Sequence, residues 1–171
     1  MWMGAISFNI MNGLSIGGWL GAYGPTSLID WEGTAPRIEV GLMIWAVAFM
    51  ANIWHDDELR EIRRAAARNQ QKRLENQNEE AKRLGKTVDK VYMMPDNGLF
   101  RAILFPHYFT EWIEWCGFWM VGGLHCVPAR IFVVNEISTM LPRALQGRRW
   151  YWERFGKEKV GGRKAVIPGI L

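Results

Sequence analysis

Four polar side chains recur along one stretch of this sequence: Asn52, Asp56, Arg60 and Arg63. Their spacing of 4, 4 and 3 residues puts them on one face if the stretch is helical. A carboxylate beside guanidinium groups can hold ribose hydroxyls and phosphates, because Arg presents a planar fork to two phosphate oxygens at once. The same spacing equally describes the solvated end of a charged helix. A second set, His107, Glu111 and Glu114, is spaced 4 and 3, with Trp112 and Trp115 beside it. Carboxylates on one face of an apolar helix accept hydrogen bonds from Arg or a ligand, or else they take up protons. A third cluster, Arg148, Arg149, Trp150 and Tyr151, suits either a ligand contact or an anchor at a membrane interface.

Other chemistries find no foothold. The chain has no Walker loop and no His-Glu-x-x-His, and its Gly13-Leu14-Ser15-Ile16-Gly17 run has no preceding strand to make a nucleophile elbow, which leaves serine hydrolysis, P-loop phosphoryl transfer and zincin chemistry without a foothold. The Glu-x-x-His order of di-metal helical bundles is also missing, so no metal site is expected. Cys116 and Cys126 form no CxxC pair and read as buried, reduced thiols. A dinucleotide fingerprint around Gly13, Gly17 and Gly21 would need a preceding strand, and none is visible. Glycines every four residues instead predict a closely packed partner helix.

The elements that must carry these residues follow from the partition of charge. The chain has 171 residues, 49% hydrophobic and 22% charged, with a net charge of +4. Its mean hydropathy of -0.10 conceals a first stretch with no charge before Asp30 and a dense run of charge over 56–90. We therefore expect an all-α, multi-pass transmembrane bundle with a charged, helical cytosolic loop. About four crossings are expected, each needing about 20 mostly apolar residues. They are Met1–Ile29, Ile38–Trp54 after a polar turn from Asp30 to Pro36, Tyr108–Val127, and a shorter Pro128–Pro142. Residues 64–86 should extend the second helix into water, helped slightly by pairs such as Asp56 with Arg60 and Glu79 with Arg83. That stretch is close to charge-balanced, so nucleic acid is not an expected partner. An even number of crossings puts the start, the charged loop and the tail on one side, and the basic, aromatic tail makes that side the cytosol.

At these residues the chain resembles the membrane steroid 5α-reductases, together with the related polyprenol reductases and very-long-chain enoyl-CoA reductases. The likeness runs from Asn12-Gly13 through Asn52, Asp56, Arg60 and Arg63 to Tyr92, Pro95 and Gly98-Leu99-Phe100. It continues with Tyr108-Phe109-x-Glu111-x-x-Glu114-Trp115-x-Gly117, Arg149-Trp150-Tyr151-x-x-x-Phe155, and Arg163-Lys164 to Ile167-Pro168. His107 stands where steroid reductases commonly have Asn, and Gly147-Arg148 stand where the family often has His. Residues 64–86 read as an insertion.

The resemblance implies a multi-pass enzyme of the endoplasmic reticulum membrane that reduces an activated C=C bond of a steroid or related lipid with NADPH. Hydride would pass to the β carbon of an enone while hydrogen bonds polarise its carbonyl. It further implies that Asn52, Asp56, Arg60, Arg63, Tyr92, His107, Glu111, Arg149 and Tyr151 bind the cofactor, with Glu114 and Trp115 as substrate-pocket candidates. The Glu and Tyr that hold the carbonyl belong to an upstream half, so no catalytic residue is assigned here and residues 1–171 are expected to be the C-terminal part of such a domain. Polyprenol or enoyl-CoA reduction is one alternative, and a truncated, non-catalytic membrane scaffold is another.

Overall fold

The computed structural model describes residues 2–76 and 91–171. In chain order its elements are α1 (Trp2–Tyr23), α2 (Leu28–Glu75), a 3-10 turn (Gly98–Arg101), α3 (Pro106–Gly122), α4 (Val127–Phe155) and the single turn α5 (Lys157–Val160). The described residues contain no strand, only one isolated parallel bridge between Ile103 and Lys164. The all-α class agrees with the sequence. Among the described residues, α2 is the one helix long and apolar enough to cross a membrane by length and composition.

The first helix boundary differs from expectation. α1 ends at Gly24-Pro25, and the run from Asp30 to Pro36 belongs to the first turns of α2 instead of a loop. The reason is a capping box: the Asp30 amide donates to Ser27 Oγ at 3.1 Å, and the Ser27 amide donates to Asp30 Oδ2 at 3.1 Å. The Ser27 side chain first, and then the Ser27 amide, hold the Asp30 carboxyl below its ordinary value. Pro36 lacks the amide that would pair with the Glu32 carbonyl, but both residues are exposed, so solvent can serve that carbonyl. Ser27→Ala should cost about 1 kcal/mol through the lost cap. A lowered thermal midpoint in detergent would check it.

At 48 residues, α2 is about 72 Å long, more than twice a hydrocarbon core of about 30 Å. Its second part therefore extends beyond any span, as expected for 64–75, while residues 77–86 and the pair Glu79 with Arg83 lie outside the described residues. Arg60 sits 4.0 Å from Asp56 but 2.9 Å from Asp57. α4 is also longer than expected, running through Pro142 to Phe155. The carbonyl freed by Pro142 is that of Ser138, and both residues are exposed.

α2 and α3 make the most intimate contact. A Cβ on Gly117 would lie 2.7 Å from the Trp45 amide nitrogen and 2.9 Å from the Gly41 carbonyl, and one on Gly41 would lie 2.9 Å from the Gly117 carbonyl. Backbone meets backbone here because neither residue has a side chain. By contrast, Gly13, Gly17 and Gly21 have nothing within 4 Å of an added Cβ, so the partner expected for them is not found among the described residues. α1 docks on α4 through Phe8, whose ring lies 5.7 Å from that of Phe132. Bulky apolar rings set that contact, which leaves the glycine flank open.

Arg37 fastens the far end of the α2/α3 pair. Its Nη1 donates to the Met120 carbonyl at 2.7 Å, which also accepts from the Gly123 amide, and to the Val121 carbonyl at 3.0 Å, in the last turn of α3 where carbonyls lack full helical pairing. Arg37→Ala should cost about 1.5 to 3 kcal/mol, the range for hydrogen bonds from a charged donor. A drop in thermal midpoint that Arg37→Lys only partly restores is the expected result. Cys126 is buried as expected, whereas Cys116 is exposed on the outer side of α3, and both are free thiols.

The opposite end is closed by the last residues. Leu104 donates to the Lys164 carbonyl at 2.9 Å, Phe105 to Ala165 at 3.0 Å and Lys164 to Ala102 at 3.0 Å. Phe100, Ile103, Leu104, Val160, Ala165 and Val166 are buried in the resulting core. Arg163 bonds the Pro95 carbonyl and Asp96 Oδ1, both at 2.8 Å, and so ties segment 91–97 to this platform.

Candidate functional site

Because α2 and α3 run antiparallel, the two polar stripes meet face to face. Asn52 lies beside Glu114, Asp56 lies within electrostatic reach of Glu111 and His107, and Arg63 within reach of His107 and Tyr151. The result is a polar seam descending the helix pair. Glu114, only 8% exposed, is its most buried acid.

Helix geometry decides which predicted residues join the seam. At about 100° per residue, Asp56 and Arg63 fall within roughly 40° of Asn52, while Arg60 is displaced by roughly 80°. Arg60 accordingly turns outward, its side chain 60% exposed and paired with Asp57. The same argument separates the tail arginines. Arg149 is exposed, roughly 140° from the buried Ala144, whereas Arg148 shares the Ala144 side with Tyr151. Trp115 packs against Phe132 at 4.1 Å and Phe118 at 5.6 Å, linking α3 to α4 away from the seam.

At the lower end of the seam lies a cavity of about 600 Å³, lined by Arg63, Gln70, Tyr92, Pro95, Trp150 and Tyr151 among others. That volume is within the usual range for small-molecule sites. One wall is the segment from Val91, whose amide donates to Gln70 Oε1 at 2.8 Å and so holds Tyr92 over α2. The Tyr92 and Tyr151 rings each lie 5.2 Å from that of Trp150, edge to face. Burial raises the Tyr151 phenol above its ordinary value, opposed by the charges of Arg63 and Arg163. The hydroxyl therefore keeps its proton at neutral pH and can donate it in a hydrogen bond.

Among the described residues, His107 Nδ1 and Arg148 Nε are buried polar atoms with no hydrogen-bond partner. Such groups are costly unless something else satisfies them. The Arg148 guanidinium lies 4.5 Å above the Trp152 ring. Its neighbour Gly147 has no room for a side chain, since an added Cβ would come within 2.3 Å of Phe105 Cζ.

Two residues, Glu136 and His55, escaped the sequence reading of the site, and a third, Arg148, was read only as part of a cluster. Arg148 was visible as one member of the Arg-rich cluster, and its place relative to Ala144 would have selected it over Arg149. Glu136, an isolated carboxylate in the apolar part of α4, lies within electrostatic reach of Glu111. His55 is 2% exposed, its Nδ1 donating to the Ala51 carbonyl at 2.6 Å, and its position next to Asp56 gave no sequence signal.

Among the described residues the fold is all-helical, and an ionisable seam between two of its helices leads to an aromatic, arginine-bearing cavity. The family described as 3-oxo-5-alpha-steroid 4-dehydrogenase matches residues 1–171, and the chain belongs to that family. It is 33% identical over 175 residues to the uncharacterized protein C9.08c of Schizosaccharomyces pombe, an alignment covering 100% of this chain and 57% of that one. It is 32% identical over 146 residues to 3-oxo-5-alpha-steroid 4-dehydrogenase 1 of Rattus norvegicus, covering 83% of this chain and 45% of the relative. With steroid 5-alpha-reductase DET2 of Solanum lycopersicum it shares 28% over 169 residues, covering 96% and 53%. The chain thus spans about half the length of the curated relatives it matches.

Proposed function

We propose that this chain is the cofactor-binding part of a membrane reductase that uses NADPH to reduce an activated C=C bond in a steroid or related lipid enone. The observation that carries the reading is the convergence of Arg63, Tyr92 and Tyr151 on one cavity at the end of the polar seam. Family membership supports the reaction class.

The residues present fit a dinucleotide. Arg63 offers a cationic fork for phosphate, and Tyr92 and Trp150 offer ring faces and edges for a base. The Tyr151 hydroxyl donates to an oxygen acceptor, and Asp56 accepts from ribose hydroxyls. The orphaned His107 Nδ1 and Arg148 Nε are buried groups that a bound polar ligand would satisfy. When bound, the nicotinamide supplies the hydride. The buried Glu114, beside Asn52, and the half-buried Glu111 and Glu136 form the seam beyond the cavity. The groups that polarise the substrate carbonyl are assigned to the portion of the longer relatives that this chain does not align with.

In this reading α1 to α4 cross the endoplasmic reticulum membrane, and the cavity, the 64–75 extension and the tail face the cytosol. The test is titration of the full-length protein in detergent with NADPH, followed by nucleotide fluorescence. Saturable binding is expected, weakened about threefold to tenfold by Tyr151→Phe through loss of one neutral hydrogen bond. Absence of saturable NADPH binding by the folded protein would overturn the reading. Binding without reduction of any steroid, polyprenol or enoyl-CoA substrate would favour the scaffold alternative.

A further inference from the structure

On the far side of the Pro95–Arg163 link from the cavity lies a second concave site of about 470 Å³, whose lining includes Arg101, Lys159, Gly161, Gly162, Arg163 and Lys164. Its charge is not balanced. Arg163 is paired with Asp96, but among the described residues no acid pairs with Arg101, Lys159 or Lys164. Like charges gathered in a concavity repel one another and concentrate anions.

The site is also held in shape. Arg101 Nε donates to the Asp96 carbonyl at 3.1 Å, while Arg163 is only 16% exposed and bonded at both Nη atoms. Lys164 is pinned through its backbone to Ala102 and Leu104. Lys159 Nζ rests 5.6 Å from the centre of the Phe155 ring. Gly161 adopts φ of +62°, a left-handed turn that returns the chain from α5 toward Arg163. The Gly162 and Arg163 amides on the rim have no acceptor within the described residues. Buried Val160, Ala165 and Val166 anchor the loop from below.

We propose that this basic cleft binds a terminal phosphate group, as a phosphomonoester or as inorganic phosphate, separately from the cofactor site. The three oxygens of a phosphomonoester suit a cluster of guanidinium, ammonium and backbone N–H donors converging from several directions. Two sources carry that chemistry: the headgroup of an anionic lipid and free phosphate in solution.

Native mass spectrometry of the full-length protein released from detergent distinguishes them. The probes are dioctanoyl phosphatidic acid, dioctanoyl phosphatidylcholine and inorganic phosphate. Arg101→Gln with Lys159→Gln should lower occupancy by the phosphomonoester about 25-fold, about fivefold for each cation removed. Arg101→Lys with Lys159→Arg should retain it. Lys72→Gln with Arg73→Gln, which removes two cations from the exposed end of α2, should change nothing. Unchanged NADPH affinity and helical circular dichroism would show that the variants fold. Retention of phosphatidic acid over phosphatidylcholine, resistant to millimolar phosphate, supports the site with a lipid source. Binding of inorganic phosphate that displaces the lipid supports it with a soluble source. Equal occupancy in the wild type and the Arg101/Lys159 variant, or an equal loss in the Lys72/Arg73 variant, overturns it.

Discussion

Gly117→Val is expected to unfold or severely loosen the α2/α3 pair. The added Cβ would meet the Trp45 amide nitrogen at 2.7 Å, the Gly41 carbonyl at 2.9 Å and the Ile44 side chain at 3.1 Å. Two of these are backbone atoms, which no rotamer change can move aside, so the helices must separate. Overpacking of this kind costs on the order of 3 kcal/mol, a large part of a typical stability of about 5 to 15 kcal/mol. Separation would also pull Asn52 from Glu114 and Asp56 from His107. The variant should therefore show a lower thermal midpoint in detergent together with weaker NADPH binding. Gly33→Ala is the matched control, because nothing lies within 4 Å of its added Cβ and helix propensity favours Ala. A Gly117→Val protein with wild-type midpoint and affinity would contradict the backbone contact.

Arg63→Ala should raise the Kd for NADPH about 10- to 150-fold, the equivalent of the roughly 1.5 to 3 kcal/mol carried by a charge-assisted hydrogen bond. Arg63 lines the cavity, remains exposed at its mouth and forms no ion pair within the described residues. Its loss should leave the thermal midpoint nearly unchanged, which separates a binding role from a structural one. Arg60→Ala should have a much smaller effect on Kd, since its guanidinium is engaged with Asp57 and turned outward. If both variants bind NADPH as the wild type does, the phosphate contact lies elsewhere.

The contrast between these neighbouring arginines shows where the sequence stops being informative. Spacing of 4, 4 and 3 placed Asn52, Asp56, Arg60 and Arg63 on one stripe. A stripe nevertheless spans a wide arc, and only the position of α3 decides which edge of it is covered. The same holds for Arg148 and Arg149, adjacent in sequence and separated by about 100° around α4. A motif that includes Arg149 identifies the region, while the packing of Ala144 identifies the inward residue.

Glycine gave a different lesson. The regular series Gly13, Gly17 and Gly21 promised a close helix contact, and the isolated pair Gly41 and Gly117 made one. Small residues permit close approach, but they do not attract. Ring contact between Phe8 and Phe132 joins α1 to α4, and the Ile44 side chain lies beside Gly117 where α2 meets α3. Pro36 and Pro142 likewise read as boundaries yet sit inside helices, since the exposed carbonyls they free can be served from outside the helix.

By itself, the sequence determined the helical class, the apolar segments and the residues of the two polar stripes. Periodicity and composition are local properties, readable over one or two turns. The tertiary structure alone decided that the stripes face each other, that segment 91–97 closes a cavity over Arg63, and that Arg163 ties that segment to the C-terminal platform. Those contacts join residues tens of positions apart. They depend on backbone approach at Gly41 and Gly117 and on side-chain direction, neither of which any local pattern encodes.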